Sequence, residues 1–381
     1  MTAIITDVKY RMAISLIRDL ADNGIDVVAC HSGEGTPFAF YSKGISRSVI
    51  LPDCQANPEL FLDELSALCK ECSTDGFLPA LLPVGAKTLS LLSSEMGSKA
   101  LNGICGICIP SEASLDLAND KTRLALAASE YGVPVPKSYD PKELGFESLP
   151  YPLVIKPVCG EKQGLSAEQR YVIAHNAEEA KRSWEQFSFD SPAVIQDYID
   201  GDGYGFSVLA DKGKIINSIC HKRIREYPLS GGPSTCCMTY SRDFLLPYAE
   251  SIVKLLNFTG LGMIEFKLDS KGNPYLLEMN PRVWGTFPLT RVAESSFAYD
   301  WYALSAKLPT KNIKPKDDIK MYYLLSDMRR AAAALISGKA FEAFSSLKDW
   351  LSPTVKEGIF EFSDLRASIK YLVSYINRGI G

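Results

Sequence analysis

Three polar residues of different chemistry stand at every second position of the segment YLLEMNPRVWGT: the carboxylate of Glu278, the amide of Asn280 and the guanidinium of Arg282. Side chains alternate between the two faces of a β-strand, so this spacing predicts that all three point the same way. Such a polar row is costly unless it faces water or a charged ligand. One alternative is a solvent-exposed face on which Arg282 simply pairs with Glu278.

A second carboxylate favours a ligand over a solvated face. The stretch LGMIEFKLDSKGNPYLLEMNPR predicts a β-hairpin with a turn near Gly272. Glu265 on the first strand would then lie across from Glu278 on the second. Two carboxylates and the Asn280 amide are oxygen ligands, which suit Mg²⁺ held through the phosphates of a nucleotide.

Two lysines upstream could meet those phosphates. Lys156 follows the apolar run PLVI, so its backbone is expected to be buried while its ammonium reaches a polar partner. A loop with Gly160 and Gly164 comes directly after, as expected where backbone N–H groups close over phosphates. Lys121 begins a helix after Asn119-Asp120, and a solvated surface lysine is its alternative interpretation.

Strands and helices alternate through the first 112 residues or so, which predicts a parallel α/β layer. The first strand is followed by TDVKYR rather than a GxGxxG pattern, which argues against an NAD or FAD site. Two or three consecutive antiparallel strands are predicted farther along, in the stretch SPAVIQDYIDGDGYGFSVLADKGKIINSICHKRIRE. The last pair of these strands would turn at Asp211-Lys212-Gly213. The residues from about 310 onward predict a mainly helical tail.

Composition indicates an ordinary water-soluble protein. The chain has 381 residues, of which 46% are hydrophobic and 23% charged, and its formal net charge is −4. That charge, with no basic run, argues against nucleic-acid binding. We expect neither a signal peptide nor a membrane span, and therefore a cytoplasmic location. The ten cysteines include two CxxC pairs, which we interpret as reduced structural thiols, with a zinc site as the alternative.

Taken in order, these segments resemble the ATP-grasp enzymes, with similarity to the large chain of carbamoyl-phosphate synthase, biotin carboxylase and D-alanine–D-alanine ligase. The motifs are Asp120-Lys121, VIKP with its glycine loop, VIQDYIDG, and the hairpin that ends in LEMNPR. The resemblance implies a mixed α/β and α+β fold. Its expected parts are an N-terminal Rossmann-like parallel α/β domain (1–112), an ATP-grasp domain (113–310) with a small lid subdomain (about 122–198) and an antiparallel ATP-binding core, and a mainly helical C-terminal tail (311–381).

The resemblance also implies roles for individual residues. Residues expected to bind ATP, through phosphates, adenine or ribose, are Lys121, Lys156, Gly160, Gly164, Gln196, Asp197, Tyr198, Ile199 and Asp202. Glu265, Glu278 and Asn280 would hold one or two Mg²⁺ ions, with Mn²⁺ as a substitute. Arg282 and Lys156 would stabilise the transferring phosphoryl group, and Arg223 and Arg225 would bind phosphate or the substrate carboxylate. For these two arginines the alternative is a solvated edge strand, and His221 beside them is expected to be a surface histidine.

The implied activity is an ADP-forming ligase that joins a carboxylate to an amine of a small metabolite or amino acid through an acyl phosphate. The alternatives are a carboxylate–thiol ligase, a carboxyphosphate-type carboxylase, and a non-catalytic ATP-binding regulatory protein. Partners would be the small-molecule substrates and a second copy of the chain in a homodimer. The tail would mediate that dimer, cover the active site, or do both. Two departures from the family pattern concern Asp202, the nearest acidic residue for a ribose contact, and a phosphate loop with few glycines.

Overall fold

The computed structural model describes residues 1–74, 76–158, 171–188, 192–241 and 243–377. These described residues form sheets of five, seven and four strands. Here they are named the parallel sheet, the large sheet and the lid sheet. No helix within the described ranges is long and apolar enough to cross a lipid bilayer.

The parallel sheet lies at the N-terminus, as the alternating pattern predicts. Its strand order is β3-β2-β1-β4-β5, and each neighbouring pair is parallel. Its strands and helices are, in chain order, β1 (Thr2–Thr6), α1 (Arg11–Asp22), β2 (Asp26–Ser32), β3 (Arg47–Leu51), α2 (Pro58–Glu71), β4 (Ala80–Pro83), α3 (Ala86–Ser93), α4 (Glu95–Leu101) and β5 (Gly106–Ile107). Extended Ser94 ends α3 and caps α4, so two short helices rather than one lie between β4 and β5.

The lid sheet follows after two linking helices. Its strand order is β6-β9-β7-β8, and its pairs are antiparallel. The elements are α5 (Glu112–Asn119), α6 (Lys121–Glu130), β6 (Ser138–Tyr139), α7 (Pro141–Leu144), β7 (Leu153–Pro157), β8 (Val172–Ala174), α8 (Ala177–Ser188) and β9 (Ala193–Asp197). The strand VIQD was expected to pair with the strand that follows it. Instead it is β9 of the lid sheet, so the chain changes sheets between Asp197 and Gly201.

The large sheet has the order β14-β13-β10-β11-β12-β15-β16. Its elements and those of the tail are β10 (Gly201–Asp211), β11 (Lys214–Glu226), β12 (Ser234–Thr239), α9 (Leu246–Leu255), β13 (Gly260–Asp269), β14 (Pro274–Asn280), α10 (Pro288–Val292), α11 (Phe297–Ser305), β15 (Lys320–Tyr322), α12 (Leu324–Ile336), α13 (Ala340–Leu351), β16 (Lys356–Glu357) and α14 (Leu365–Asn377). The predicted turn is confirmed: Lys212 and Gly213 both have positive φ between β10 and β11.

The tail is mainly helical, as expected, but it is joined to the rest of the chain. Its strands β15 and β16 extend the large sheet, with β15 antiparallel to β12. Arg18 of α1 is buried and bonds the carboxylate of Asp364 at 2.9 Å and the carbonyl of Ile359 at 2.5 Å. The division at residues 112 and 310 therefore stays a prediction, because strands and ion pairs cross it.

Candidate active site

The hairpin of β13 and β14 brings the three predicted metal ligands together. Glu265 and Glu278 are directly paired across the two strands, and Asn280 pairs with Met263 two positions away. The Asn280 amide donates to both carboxylates, at 3.0 Å to Glu265 Oε1 and 3.2 Å to Glu278 Oε1. The alternating polar residues of β14 thus lie on one face of the hairpin. There the Asn280 amide contacts the carboxylate oxygens of Glu265 and Glu278 rather than open solvent.

Two cations lie against these carboxylates. Lys121 is the first residue of α6, where the side chain of Asp120 caps the helix by accepting from the N–H groups of Thr122 and Arg123. This cap fixes the helix start, and Lys121 Nζ then lies 3.1 Å from Glu278 Oε2. On the other side, Nη2 of Arg223 lies 2.6 Å from Glu265 Oε2. Lys121 is therefore paired with this cluster and is not a solvated surface lysine, and its role in binding a nucleotide stays a prediction.

Lys156 and Arg282 close the cluster from two further elements. Alternation along β7 buries Leu153 and Ile155 and points Lys156 away from the lid core, with Nζ 3.5 Å from the Leu277 carbonyl oxygen on β14. Arg282 follows Pro281 at the end of β14, and its Nη2 lies 3.3 Å from Asn280 Oδ1. Four separate elements therefore supply cations around one hairpin.

Burial and charge set the protonation of the cluster. Burial alone would raise the pKa of Glu278, but the charges of Lys121 and Lys156 overcome it and hold that pKa at about 2. The pKa of Glu265 is raised, chiefly by burial, although the Arg223 charge opposes the rise. Burial, together with the charge of Lys121, lowers the pKa of Lys156 to about 8. The site thus keeps Glu278 ionised at neutral pH and leaves Lys156 close to losing its proton.

The donor set suits a hard divalent cation. Two carboxylates converge, and the Asn280 amide now turns its N–H group toward them and its oxygen toward Arg282. A flip of that amide would add its oxygen to the two carboxylates as a third ligand for the ion. Within the described residues no group of three His, Cys, Asp or Glu side chains forms a complete metal cage. Mg²⁺ usually completes its coordination with water and substrate phosphates, so a site for it needs only a few protein oxygen ligands such as those predicted here.

The predicted hinge connects the lid sheet to the large sheet. Gln196 is buried, and its side chain donates to Ser138 Oγ at 3.2 Å. The Asp197 carboxylate accepts a 2.7 Å hydrogen bond from Tyr139, and the Lys267 ammonium lies 4.9 Å from the Tyr198 ring centre. The polar side chains of Gln196 and Asp197 are therefore engaged within the lid sheet. A ligand at this segment would meet the backbone near Tyr198 and Ile199, as the sequence analysis expected.

Other predicted nucleotide contacts fall outside this cluster. Asp202, the second residue of β10, is exposed and pairs with Lys222 at 2.5 Å. Gly160 and Gly164 lie outside the described residues.

Arg225 lies on the other face of the large sheet. The β11–β12 register shifts between Arg223, which is opposite Cys237, and Arg225, which is opposite Cys236. Adjacent strand residues point to opposite faces, so the shift separates the two arginines. Arg225 is buried and makes ion pairs with Asp327 at 2.7 Å and Asp349 at 2.5 Å. The expectation that both arginines face one ligand is therefore corrected, since Arg225 ties the tail to the sheet.

His221 is buried, which corrects the expectation of a surface histidine. Its ring stands against Gly205, where an added Cβ would lie 2.2 Å from His221 Cε1. The Thr286 hydroxyl contacts its Nε2 at 3.2 Å. Burial, with a smaller contribution from the Arg223 charge, lowers the pKa of His221 to about 3, so the ring is neutral and packs beside the carboxylates.

Nine cysteines are described as free thiols, and all of them except Cys72 are buried. The two CxxC pairs are divided between hydrophobic cores. Cys69 and Cys105 belong to one core beside the parallel sheet, whereas Cys108 belongs to the core between that sheet and the large one. Within the described ranges these thiols pack as small apolar side chains.

One residue near the site was missed by the sequence analysis. A Cβ on Gly285, three residues beyond Arg282, would lie 3.8 Å from Nη2 of Arg11. No local pattern marks Arg11. The signal that could have found it is its place just after β1, because ligands of parallel sheets bind beyond the carboxyl ends of the strands.

Comparison with known proteins agrees with this geometry. Residues 118–286 match the family model of the ATP-grasp domain. The chain contains an ATP-grasp domain. It covers the hairpin, the lid sheet and the helix that begins at Lys121. The expected fold is thereby confirmed, including the parallel N-terminal sheet and the helical tail.

Relatives of the ATP-grasp domain are distant in sequence. The alpha subunit of mitochondrial methylcrotonoyl-CoA carboxylase from Mus musculus is 27% identical over 335 residues, covering 81% of this chain and 45% of that protein. The chain therefore spans less than half the length of the curated relatives that it matches.

Two solved structures share the ATP-grasp fold. The L-amino acid ligase from Bacillus licheniformis has a TM-score of 0.60 at 16% identity, covering 82% of this chain and 77% of that one. The biotin carboxylase domain of the Hydrogenobacter thermophilus 2-oxoglutarate carboxylase, solved as a dimer with MgADP and bicarbonate, has a TM-score of 0.62 at 18% identity. The match covers 84% of this chain and 73% of the biotin carboxylase chain. At these identities the likeness establishes the fold alone.

Proposed function

We propose that this protein is an ATP-dependent, ADP-forming ligase that activates a carboxylate as an acyl phosphate and transfers the acyl group to an amine. The observation that carries the proposal is the cluster in which Glu265, Glu278 and Asn280 converge among Lys121, Lys156, Arg223 and Arg282. Phosphoryl transfer depends mainly on positioning and charge compensation, and this cluster provides both.

The proposed nucleotide site lies between the lid sheet and the large sheet. Lys121 and Lys156 would contact phosphates, and the hinge backbone at Tyr198 and Ile199 would receive the adenine. Mg²⁺ bound by Glu265, Glu278 and Asn280 would neutralise part of the phosphate charge. Lys121 now pairs with Glu278, and Arg223 pairs with Glu265 and Glu226. An incoming ion on the two carboxylates would release Lys121 toward the phosphates and free one side of the Arg223 guanidinium.

In the proposed reaction a carboxylate oxygen of the acid substrate attacks the γ-phosphorus of ATP, and the bond to the bridging oxygen of ADP breaks. The amine then attacks the acyl carbon, releases inorganic phosphate and loses a proton. Arg282, at the end of β14, would hold the transferring phosphoryl group, while Arg223 would face the acid substrate from β11. A lid that closes over the site would keep water from hydrolysing the acyl phosphate.

The decisive experiment measures ADP release by the full chain with Mg²⁺ and ATP over a panel of small acids and amines, with mass spectrometry of the products. Wild type is expected to release ADP only with a productive pair. Glu278→Gln is expected to bind a non-hydrolysable ATP analogue and to form no ADP. Glu178→Gln, on the exposed face of α8, is the matched control and is expected to retain activity. Absence of ADP release from wild type over the whole panel would refute the ligase proposal.

A carboxyphosphate-type carboxylase is the second candidate. The likeness to a biotin carboxylase domain solved with bicarbonate favours it. Labelled bicarbonate distinguishes the two reactions, because a carboxylase incorporates the label into its product and a carboxylate–amine ligase does not. If Glu278→Gln and wild type behave alike in every assay, we would reject both the ligase and the carboxylase and assign the protein a non-catalytic nucleotide-binding role.

We further propose that the protein forms a homodimer through the tail. The helix pair α12–α13 exposes large apolar side chains on one side, and this surface is named here the tail face: Ile336, Phe341, Phe344, Leu347 and Leu351. Contiguous apolar surface of this kind usually marks an interface. The test of this proposal is given in the Discussion.

A further inference from the structure

Arg11 is a cation at the junction of three parts of the fold. It is the first residue of α1, at the carboxyl edge of the parallel sheet. Its guanidinium carbon lies 3.9 Å from the centre of the Tyr323 ring, which belongs to the tail. The Tyr323 hydroxyl donates to the Gly285 carbonyl at 2.6 Å, so ring and loop are held together. Arg11 thus connects the parallel sheet, the tail and the loop that follows Arg282.

The support of Arg11 is rigid. Asp7 turns the chain from β1 toward α1 with φ of 58°, a conformation that few residues other than glycine adopt. Its carboxylate accepts from the Gly85 backbone N–H at 3.2 Å and from the Thr88 hydroxyl at 3.0 Å. A group that must be placed accurately for a ligand is usually held by such a second layer of hydrogen bonds.

The Arg11 guanidinium has no carboxylate partner within the described part of the chain. Among those residues no Asp or Glu carboxylate forms an ion pair with Arg11. It interacts with the hydroxyl of Tyr371 and stacks on Tyr323. The carboxylate of Glu357 is engaged with backbone N–H groups at Leu324, Ile359 and Phe360. Stacking satisfies the flat faces of a guanidinium and leaves its edge N–H groups for an acceptor.

Arg11 stands on the same side of the large sheet as Arg223. Cys237 and Tyr323 belong to the same buried core, and Arg11 stacks on Tyr323. In agreement with this, burial raises the pKa of Cys237 and the charges of Arg11 and Arg223 both oppose that rise. Cys237 is directly opposite Arg223 on the sheet. Glu265, Arg223 and Arg11 therefore lie in succession along this side of the large sheet.

These positions suggest two ends of one substrate pocket. Arg223 is neutralised by Glu265 and Glu226, whereas Arg11 stacks on Tyr323 and forms no ion pair with a carboxylate of the described residues. We infer that Arg11 anchors an oxyanion of the substrate, a carboxylate or phosphate group that does not react, between the parallel sheet and the Gly285 loop. The inference rests on the proposed ligase function and narrows its substrate class to small molecules with an additional negative charge.

Gly285 fits this assignment. An added Cβ would point at Nη2 of Arg11 from 3.8 Å, so the absence of a side chain keeps the edge of the guanidinium accessible from the loop. A bulkier residue there would fill the space in which we place the oxyanion.

The test uses binding rather than turnover. The full chain with Mg²⁺ and a non-hydrolysable ATP analogue is titrated with succinate, with inorganic phosphate and with neutral succinamide, and the midpoint of thermal unfolding reports binding. Succinate or phosphate is expected to stabilise wild type saturably, and succinamide is not. Arg11→Gln should weaken that binding about tenfold or more, since a charge-assisted contact is lost. Arg11→Lys should recover part of the affinity, and the exposed Arg47→Gln should match wild type.

The two anions distinguish a carboxylate site from a phosphate site by their relative affinities. If neither anion stabilises wild type, or if Arg11→Gln binds both as wild type does and only unfolds earlier, Arg11 is a structural link to the tail and the inference is wrong. The affinity for the ATP analogue is measured in parallel and should be unchanged in Arg11→Gln. Arg11-dependent anion binding without any ADP release would refute the ligase proposal and leave the anion site standing.

Discussion

At the scale of single residues, we expect the charge of Lys156 to change near physiological pH. Burial and the charge of Lys121 lower its pKa to about 8, and its ammonium attracts phosphate only while protonated. The proton is lost as the pH rises through that value. Affinity for a non-hydrolysable ATP analogue should therefore fall at higher pH, by up to about tenfold per pH unit when one proton is linked to binding.

Isothermal titration calorimetry at several pH values, in two buffers of different ionisation enthalpy, measures both the affinity and the proton uptake. Lys156→Arg should flatten the profile above pH 8, because a guanidinium stays protonated. Lys181→Arg, on the exposed face of α8, should keep the wild-type slope. Equal slopes in Lys156→Arg and wild type would remove Lys156 from phosphate binding.

Gly205 offers a second test at this scale. It lies between Glu265 and His221 in the sheet, and an added Cβ would meet the His221 ring at 2.2 Å. Overpacking of this kind costs about 1–3 kcal/mol. Gly205→Ala should therefore lower the free energy of unfolding in urea by about that amount. The double variant Gly205→Ala/His221→Ala removes the clash. Its loss of unfolding free energy should therefore be smaller than the sum of the losses in the two single variants. Strict additivity would contradict the packing described here.

At the scale of elements, local signals predicted local structure. The hairpin of β13 and β14 follows from alternation and turn residues, and α6 follows from the cap at Asp120, so the sequence predicted that Glu265 lies opposite Glu278 and that Lys121 begins a helix. The position of Arg225 depends on a register shift, for which the alternation of HKRIRE gives no sign. The pairing of β15 with β12 joins distant segments and could not be predicted from local pattern. The same holds for Arg11, whose neighbours come from three parts of the chain.

The register shift makes a prediction about the tail. Arg225 is 5% exposed and its partner Asp327 is fully buried, so removing the guanidinium leaves a buried carboxylate without its cation. Breaking a buried pair in this way costs about 3–5 kcal/mol. Arg225→Met should therefore destabilise the protein by about that amount, while its affinity for the ATP analogue changes little. The exposed Arg182→Gln is the control. If Arg225→Met instead binds the nucleotide more weakly and keeps the stability of wild type, Arg225 contributes to nucleotide binding and the prediction is wrong.

At the scale of the whole molecule, the tail face is the largest feature that the proposed reaction does not use. Phe341 is 89% exposed, Phe344 72% and Leu351 76%. Their opposite sides pack inward, with Ala343 and Ala334 in the small core between α12 and α13. Fully burying an aromatic side chain removes about 150–250 Å² from water, so the five side chains together approach the roughly 800 Å² per partner of a stable interface. A second copy of the chain has the same face and can cover it by two-fold symmetry.

A charge at the centre of that face should separate the copies. Phe344→Asp would place a carboxylate in an apolar interface without a partner, which is costly only if the interface exists. Size-exclusion chromatography with light scattering should give the mass of a dimer for wild type and of a monomer for Phe344→Asp. Ser345→Asp adds the same charge to the same helix at an exposed position off the face, and it should remain dimeric. A monomeric wild type at high concentration, or a dimeric Phe344→Asp, would assign the tail face to some other partner. Neither outcome would affect the ligase proposal, because the carboxylate cluster and its cations all lie within one copy of the chain.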